Sequence, residues 1–94
     1  MRYFMEKLRI AGIEYKVEML SAEEMKGHLG LADYNNQKIM INKEATEATQ
    51  QIAFIHEILH ILDKSYNIKL SEEQVIYTAQ ALVALVNDNP EFRL

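Results

Sequence analysis

The hydrophobic period of this chain changes once along its length, and that change limits its fold more than any other feature. Leu8, Ile10, Ile13, Tyr15, Val17 and Met19 alternate with polar residues, the two-residue period of a half-buried strand. Ala11-Gly12 interrupts the alternation where a tight hairpin turn belongs. Lys38-Ile39-Met40-Ile41 reads as a third strand. From about residue 43 the apolar spacing lengthens to that of a helix, which predicts one long helix over residues 43–63. A second helix is predicted over residues 72–87, with Val75, Ile76, Ala79, Leu82, Val83 and Val86 on one stripe. Strands first and helices afterwards specify an α+β domain: a small, mostly antiparallel sheet packed on two main helices.

Punctuation between these segments is legible too. Ser21-Ala22-Glu23-Glu24 has the spacing of a capping box and predicts a short helix closed by Gly27 or Gly30. Asp33-Tyr34-Asn35-Asn36 is a cluster of turn formers. Residues 64–70 read as a loop, Ser71 with Gln74 makes a second capping box, and Asn89-Pro90 ends the ordered chain. The 94 residues are expected to form a single metal-binding domain over 1–94. A core this small gains from a bound ion or a second subunit, so monomer and homodimer both stay open.

Composition removes several function classes. A net charge of −4, with lysines and arginines scattered, argues against a general nucleic-acid surface. The chain has no cysteine, so disulfides and thiolate metal sites are excluded and any metal must take nitrogen and oxygen ligands. No segment approaches the roughly 20 apolar residues of a membrane span, and Met1-Arg2-Tyr3-Phe4-Met5-Glu6-Lys7 lacks the apolar run of a signal peptide. The expected location is the cytoplasm, with neither membrane nor nucleic acid as partner.

The chemistry concentrates in His56-Glu57-Ile58-Leu59-His60. Four helical residues turn through about 400°, so the two imidazoles point the same way and can grip one ion at about 2.0–2.1 Å. Glu57 lies about 100° away from His56 round the helix, beside the ion rather than on it, where a general base belongs. Around this helix Ile52, Ile55, Ile58, Leu59 and Leu62 cover one broad side, extended by Phe54 and Ile61. The narrow strip that remains holds Thr49, Ala53, His56, Glu57 and His60, which reads as the wall of a cleft.

A catalytic zinc needs one more protein ligand and an open position. No histidine follows His60, and His28, beside Gly27 and Gly30, reads as a loop residue. The remaining candidates are the carboxylates Asp63, Glu72 and Glu73. Asp63 lies one turn past His60 and can alternatively hold a histidine ring from behind. Glu72 falls near the middle of the second helix's apolar stripe, where a carboxylate is costly without a cation. Glu72 is therefore favoured, with Glu73 as the alternative.

With these residues in view, the chain resembles the small zincin-like metallopeptidases of the ImmA/IrrE kind, including short phage and prophage versions. The matching stretches are Gly30-Leu31-Ala32-Asp33-Tyr34, the strand at residues 38–41, and Gln51-Ile52-Ala53-Phe54-Ile55-His56-Glu57-Ile58-Leu59-His60. Leu70-Ser71-Glu72-Glu73-Gln74-Val75 and Asn87-Asp88-Asn89-Pro90-Glu91 also fit the short members. The resemblance implies a zincin-like core, Zn2+ on His56 and His60, Glu57 as base, and a glutamate from the next helix. The Glu-Ala-Asn-type sequence that surrounds the third ligand in larger members is absent.

The resulting expectation is a zinc metallopeptidase acting on a peptide or protein substrate, with the strand at residues 39–41, if it lies at the sheet edge, aligning that substrate. Tyr34, Tyr66 and Tyr77 are candidates for steadying the oxyanion. The alternatives are a binding module with a structural or vestigial metal site, and a metal-free interaction protein. A fourth protein ligand such as Asp63 would favour the structural site, and an open position facing a cleft the enzyme.

Overall fold

The computed structural model of the protein describes residues 5–92. Ala11 and Gly12 both take positive φ (51° and 80°), the left-handed pair that a two-residue hairpin turn requires. They join β1 (Lys7–Ile10) to β2 (Ile13–Leu20), which pair antiparallel with Leu8 opposite Tyr15. β3 (Gly30–Asp33) and β4 (Lys38–Asn42) form a second antiparallel pair. Asp33 closes their turn, its carboxylate accepting from the Asn36 backbone and side-chain amides. The sheet order is β1-β2-β4-β3, and β2 runs parallel to β4, so antiparallel pairing dominates with one exception.

Two expectations change here. β4 lies inside the sheet, between β2 and β3, and the edge next to it belongs to β3, a strand against α1 that is too short for alternation to reveal. The Ser21 capping box does close, with Glu24 and Ser21 exchanging hydrogen bonds, but no helix grows from it. Lys26 and Gly27 take positive φ (52° and 80°) after a single turn, and buried Met25 anchors it. Gly27 ends that turn, while Gly30 belongs to β3.

α1 (Glu47–Tyr66) starts later than the apolar pattern suggests. Thr46 caps it by accepting from the Thr49 amide, and buried Gln50 donates to the carbonyls of Lys43 and Ala45. Those carbonyls are satisfied by a side chain, so the helix begins only after them. It runs past Asp63 to Tyr66, where Asn67 turns left-handed (φ 53°). Ala53, Phe54 and Ile61 pack onto Ile10, Tyr15, Ile39 and Ile41 of the sheet to make the core.

α2 (Glu72–Asp88) begins with the predicted capping box, Ser71 and Gln74 satisfying each other's backbone amides. Among the described elements it packs on α1 alone, so the layers run sheet, α1, α2. One neighbouring helix covers only a narrow stripe, which explains why Val75, Ala79 and Val83 are buried while Ile76, Leu82 and Val86 stay substantially exposed. At the far end, the Asn87 amide donates to Gln51 across the helix pair. None of the described helices is long and apolar enough to cross a membrane.

Candidate metal centre

The sequence of α1 places His56 and His60 one turn apart, and the fold turns both rings toward the start of α2. Their Nε2 atoms lie 3.1 Å apart. Across from them the Glu72 carboxylate spans the gap, Oε1 3.2 Å from His56 Nε2 and Oε2 3.3 Å from His60 Nε2. For bonds of about 2.0–2.1 Å at tetrahedral angles, neighbouring ligand nitrogens sit about 3.3–3.4 Å apart, close to these spacings. Among the described residues this is the one His/Cys/Asp/Glu group with ligand atoms so gathered, all within 4.8 Å of one another.

Hydrogen bonding alone does not account for the cluster. Each Nε2 carries at most one hydrogen, and a protonated Nε2 has no lone pair in the ring plane to accept with. If both carry one, both can donate to Glu72 but the ring-to-ring contact is repulsive. If only one does, it can donate to the other ring, but that ring's bare nitrogen is still left facing a carboxylate oxygen at 3.2–3.3 Å. A cation between the three groups makes every contact attractive at once, so the donor set fits a divalent ion.

The other acidic candidates fall elsewhere. Asp63 does not reach the cluster and does not orient a histidine. Its Oδ1 accepts from the Lys69 and Leu70 amides at 2.6 and 3.1 Å, and its carbonyl accepts from Asn67 and Ile68. It organises the loop that carries the chain from α1 into Glu72. Glu73, one residue on, is not part of the group.

No protein-family model, curated protein or solved structure matches this chain.

Glu57 stands beside the cluster. Burial raises its carboxyl pKa above the ordinary value, against the lowering pull of His56 and His60. Glu72 adds to the rise, and His28 opposes it. Glu57 and His56 also line an open cleft of about 380 Å³ between residues 27–30 and the first half of α1. Thr49 and Ala53 of the polar strip line it as well, as that strip predicted, together with Ile52 from the broad apolar side. Gly30 is where β3 approaches the helix most closely. A Cβ there would sit 3.3 Å from Ala53 Cβ, from the Ala53 carbonyl and from Glu57 Cγ.

Sequence reasoning missed the β3 edge. The Asn42 amide donates to the Leu29 carbonyl, which makes residues 29 and 42 a hydrogen-bonded pair. By antiparallel alternation Leu31 and Asp33 also face β4, and Gly30 and Ala32 turn their N–H and C=O groups to the open edge. Those groups begin beside Glu57. His28 is an exposed loop residue, as expected, yet it lines the same cleft. Among the candidate tyrosines, Tyr34 is the one tied electrostatically to Glu57. Its phenol pKa is raised by burial first and then by Glu57, and Lys64 Nζ lies 4.0 Å over its ring. Tyr66 and Tyr77 are more than 60% exposed, and neither lines the cleft.

Proposed function

We propose that the chain is a zinc-dependent metallopeptidase-like protein, with His56, His60 and Glu72 as metal ligands and Glu57 as general base. The observation that carries this reading is the convergence of two imidazole nitrogens and one carboxylate at 3.1–3.3 Å, beside a second, half-buried carboxylate, Glu57, and an open cleft. A bound zinc ion supplies Lewis acidity, polarising the substrate carbonyl and lowering the pKa of a water toward about 7.

The chain's own residues do the rest. The Glu57 carboxylate takes a proton from the attacking water as the new C–O bond forms, and returns it to the departing amine as the C–N bond breaks. Partial burial makes Glu57 a stronger base than a solvated carboxylate, provided it is ionised at the working pH. The outward backbone groups of Gly30 and Ala32 can pair with an extended peptide, holding it along β3 next to the reacting atoms. The task of aligning substrate thus passes from β4 to β3.

A structural metal site closed by protein ligands is the competing reading. Asp63, the residue the sequence offered as a fourth ligand, lies outside the cluster and is committed to the Lys69 and Leu70 amides, which favours the open, catalytic arrangement. Elemental analysis and peptide hydrolysis test the proposal together. His56→Ala and His60→Ala should each lose stoichiometric zinc. Glu57→Gln should keep zinc while hydrolysis drops about 10²–10⁴-fold. Zinc content unchanged in both histidine variants, or undiminished hydrolysis by Glu57→Gln, would overturn the assignment.

A further inference from the structure

We infer that His28 is a catalytic residue, its imidazole donating the hydrogen bond that steadies the oxyanion forming on the substrate carbonyl. The inference rests on the metallopeptidase reading and adds to it a group on the loop that faces α1.

As water adds to a carbonyl, negative charge grows on its oxygen, and a fixed N–H or O–H aimed at that oxygen lowers the barrier. The polar side chains that line the cleft beside the metal ligands are His28, Thr49, His56 and Glu57. Nε2 of His56 belongs to the metal cluster, and an ionised Glu57 accepts hydrogen bonds without donating any. Thr49 lies two turns before His56, about 10 Å along the helix axis, and its hydroxyl is hydrogen-bonded to Thr46 at 2.9 Å. Tyr34, Tyr66 and Tyr77 do not line the cleft. His28 is therefore the lining side chain with a donor to offer. An imidazole carries an N–H in both neutral tautomers and in the imidazolium, so the role requires no particular charge state. Among the described residues its ring has no hydrogen-bond partner, which leaves that N–H for a substrate oxygen.

Though exposed, His28 stands on a backbone fastened at both of its peptide groups. Its amide donates to the Met25 carbonyl at 3.0 Å, and its carbonyl accepts from the Asn42 side-chain amide at 3.2 Å. The Asn42 backbone amide holds the neighbouring Leu29 carbonyl at 3.0 Å. Asn42 is itself buried at the end of β4, with Oδ1 accepting from the Glu44 amide, and Met25 is fully buried. A donor carried on fixed backbone loses less freedom when it meets the developing charge than one on a loose loop. The ring is near enough to Glu57 to act on its carboxylate electrostatically, so a carbonyl attacked beside Glu57 comes within reach of His28. His28 keeps its proton throughout, and Glu57 still carries the proton from water to the departing amine.

The test uses the zinc-loaded full chain with an internally quenched hexapeptide, and with its phosphinic analogue, in which a tetrahedral phosphinate replaces the central amide. His28→Phe keeps a ring and removes the donor. It should lower kcat by at least about tenfold with KM little changed, the mark of an interaction made only in the transition state. His28→Gln, which restores an N–H, should recover part of the loss. Affinity for the phosphinic analogue should fall in His28→Phe by the same factor as kcat/KM, while zinc content and melting temperature stay as in the natural chain.

The outcomes separate the two readings. Unchanged kcat in His28→Phe overturns the role of His28 and leaves the peptidase standing. A loss that His28→Gln does not relieve, or one accompanied by lost zinc or a lowered melting temperature, overturns it too, since bulk or fold would then be the cause. If the natural chain cleaves nothing, the peptidase reading fails. His28-dependent binding of the phosphinic analogue then keeps the donor, and binding indifferent to His28, or none, removes it as well.

Discussion

Glu57 is held in conflict: burial penalises its charge, while the neighbouring imidazoles favour it. Burial dominates, so in the metal-free protein the folded state holds the Glu57 proton more tightly than the unfolded chain does. Stability from that group is fully present below the unfolded carboxyl pKa of about 4.3 and is lost as pH rises through the higher folded value. Chelator-treated Glu57→Gln should therefore melt above the natural chain at pH 7, and the gap should close toward pH 4. Thermal melts across that range check it, and a gap that widens on acidification would contradict the burial argument. Glu24 and Asp33, whose pKa values are lowered by hydrogen bonds to Ser21 and Asn36, act in the opposite direction, but equally in both proteins. The pair of histidines and the adjacent glutamate were readable from spacing alone, because helical geometry fixes their relative directions. Glu72 could be favoured over Glu73 from its place on the apolar stripe, and it is Glu72 that meets the rings.

Between the two helices, five residues decide where that carboxylate goes. Asn67 and Lys69 take positive φ (53° and 68°), and the Asp63 side chain fastens the amides of Lys69 and Leu70. Ser71 then starts α2 with Glu72 as its first residue. Removing the Asp63 carboxylate frees the loop without touching a ligand. Asp63→Ala should weaken zinc binding by about tenfold or more, the scale typical of outer groups that orient ligands. Competition with a chromophoric chelator measures the affinity, and a Co2+-substituted spectrum reports whether Glu72 still ligates. Unchanged affinity would show that α2 packing alone positions Glu72. The Ser71 cap and a helix opening at Glu72 were legible beforehand, but the role of Asp63 was not, since a carboxylate one turn past His60 looks equally suited to bind an ion, a ring or a loop. β3 was hidden for a related reason: four residues, one of them glycine, carry too little alternation to distinguish a strand from a loop.

As a whole, the molecule is a stack in which α1 has neighbours on both sides and α2 on one. Of the contacts across the α1–α2 interface, those joining His56 and His60 to Glu72 sit at one end and the Asn87–Gln51 hydrogen bond at the other. An ion bound by both helices should consequently stabilise the entire fold. Free zinc at a hundred times its dissociation constant adds about 2.7 kcal/mol, which for a domain this size raises the melting temperature by roughly 10–20 °C. Calorimetry with and without zinc measures the shift, and His60→Ala should abolish it. No shift in the natural chain would mean that the cluster holds no zinc. The amino-acid order by itself determined the α+β class, the two helices with the second one's cap, and the facing of His56 and His60, because each follows from local periodicity and rotation per residue. Tertiary structure alone decided which strand forms the open edge and that Leu29 and Ile52 line one cleft. Those outcomes depend on which distant segments come to lie side by side, and no local period encodes that.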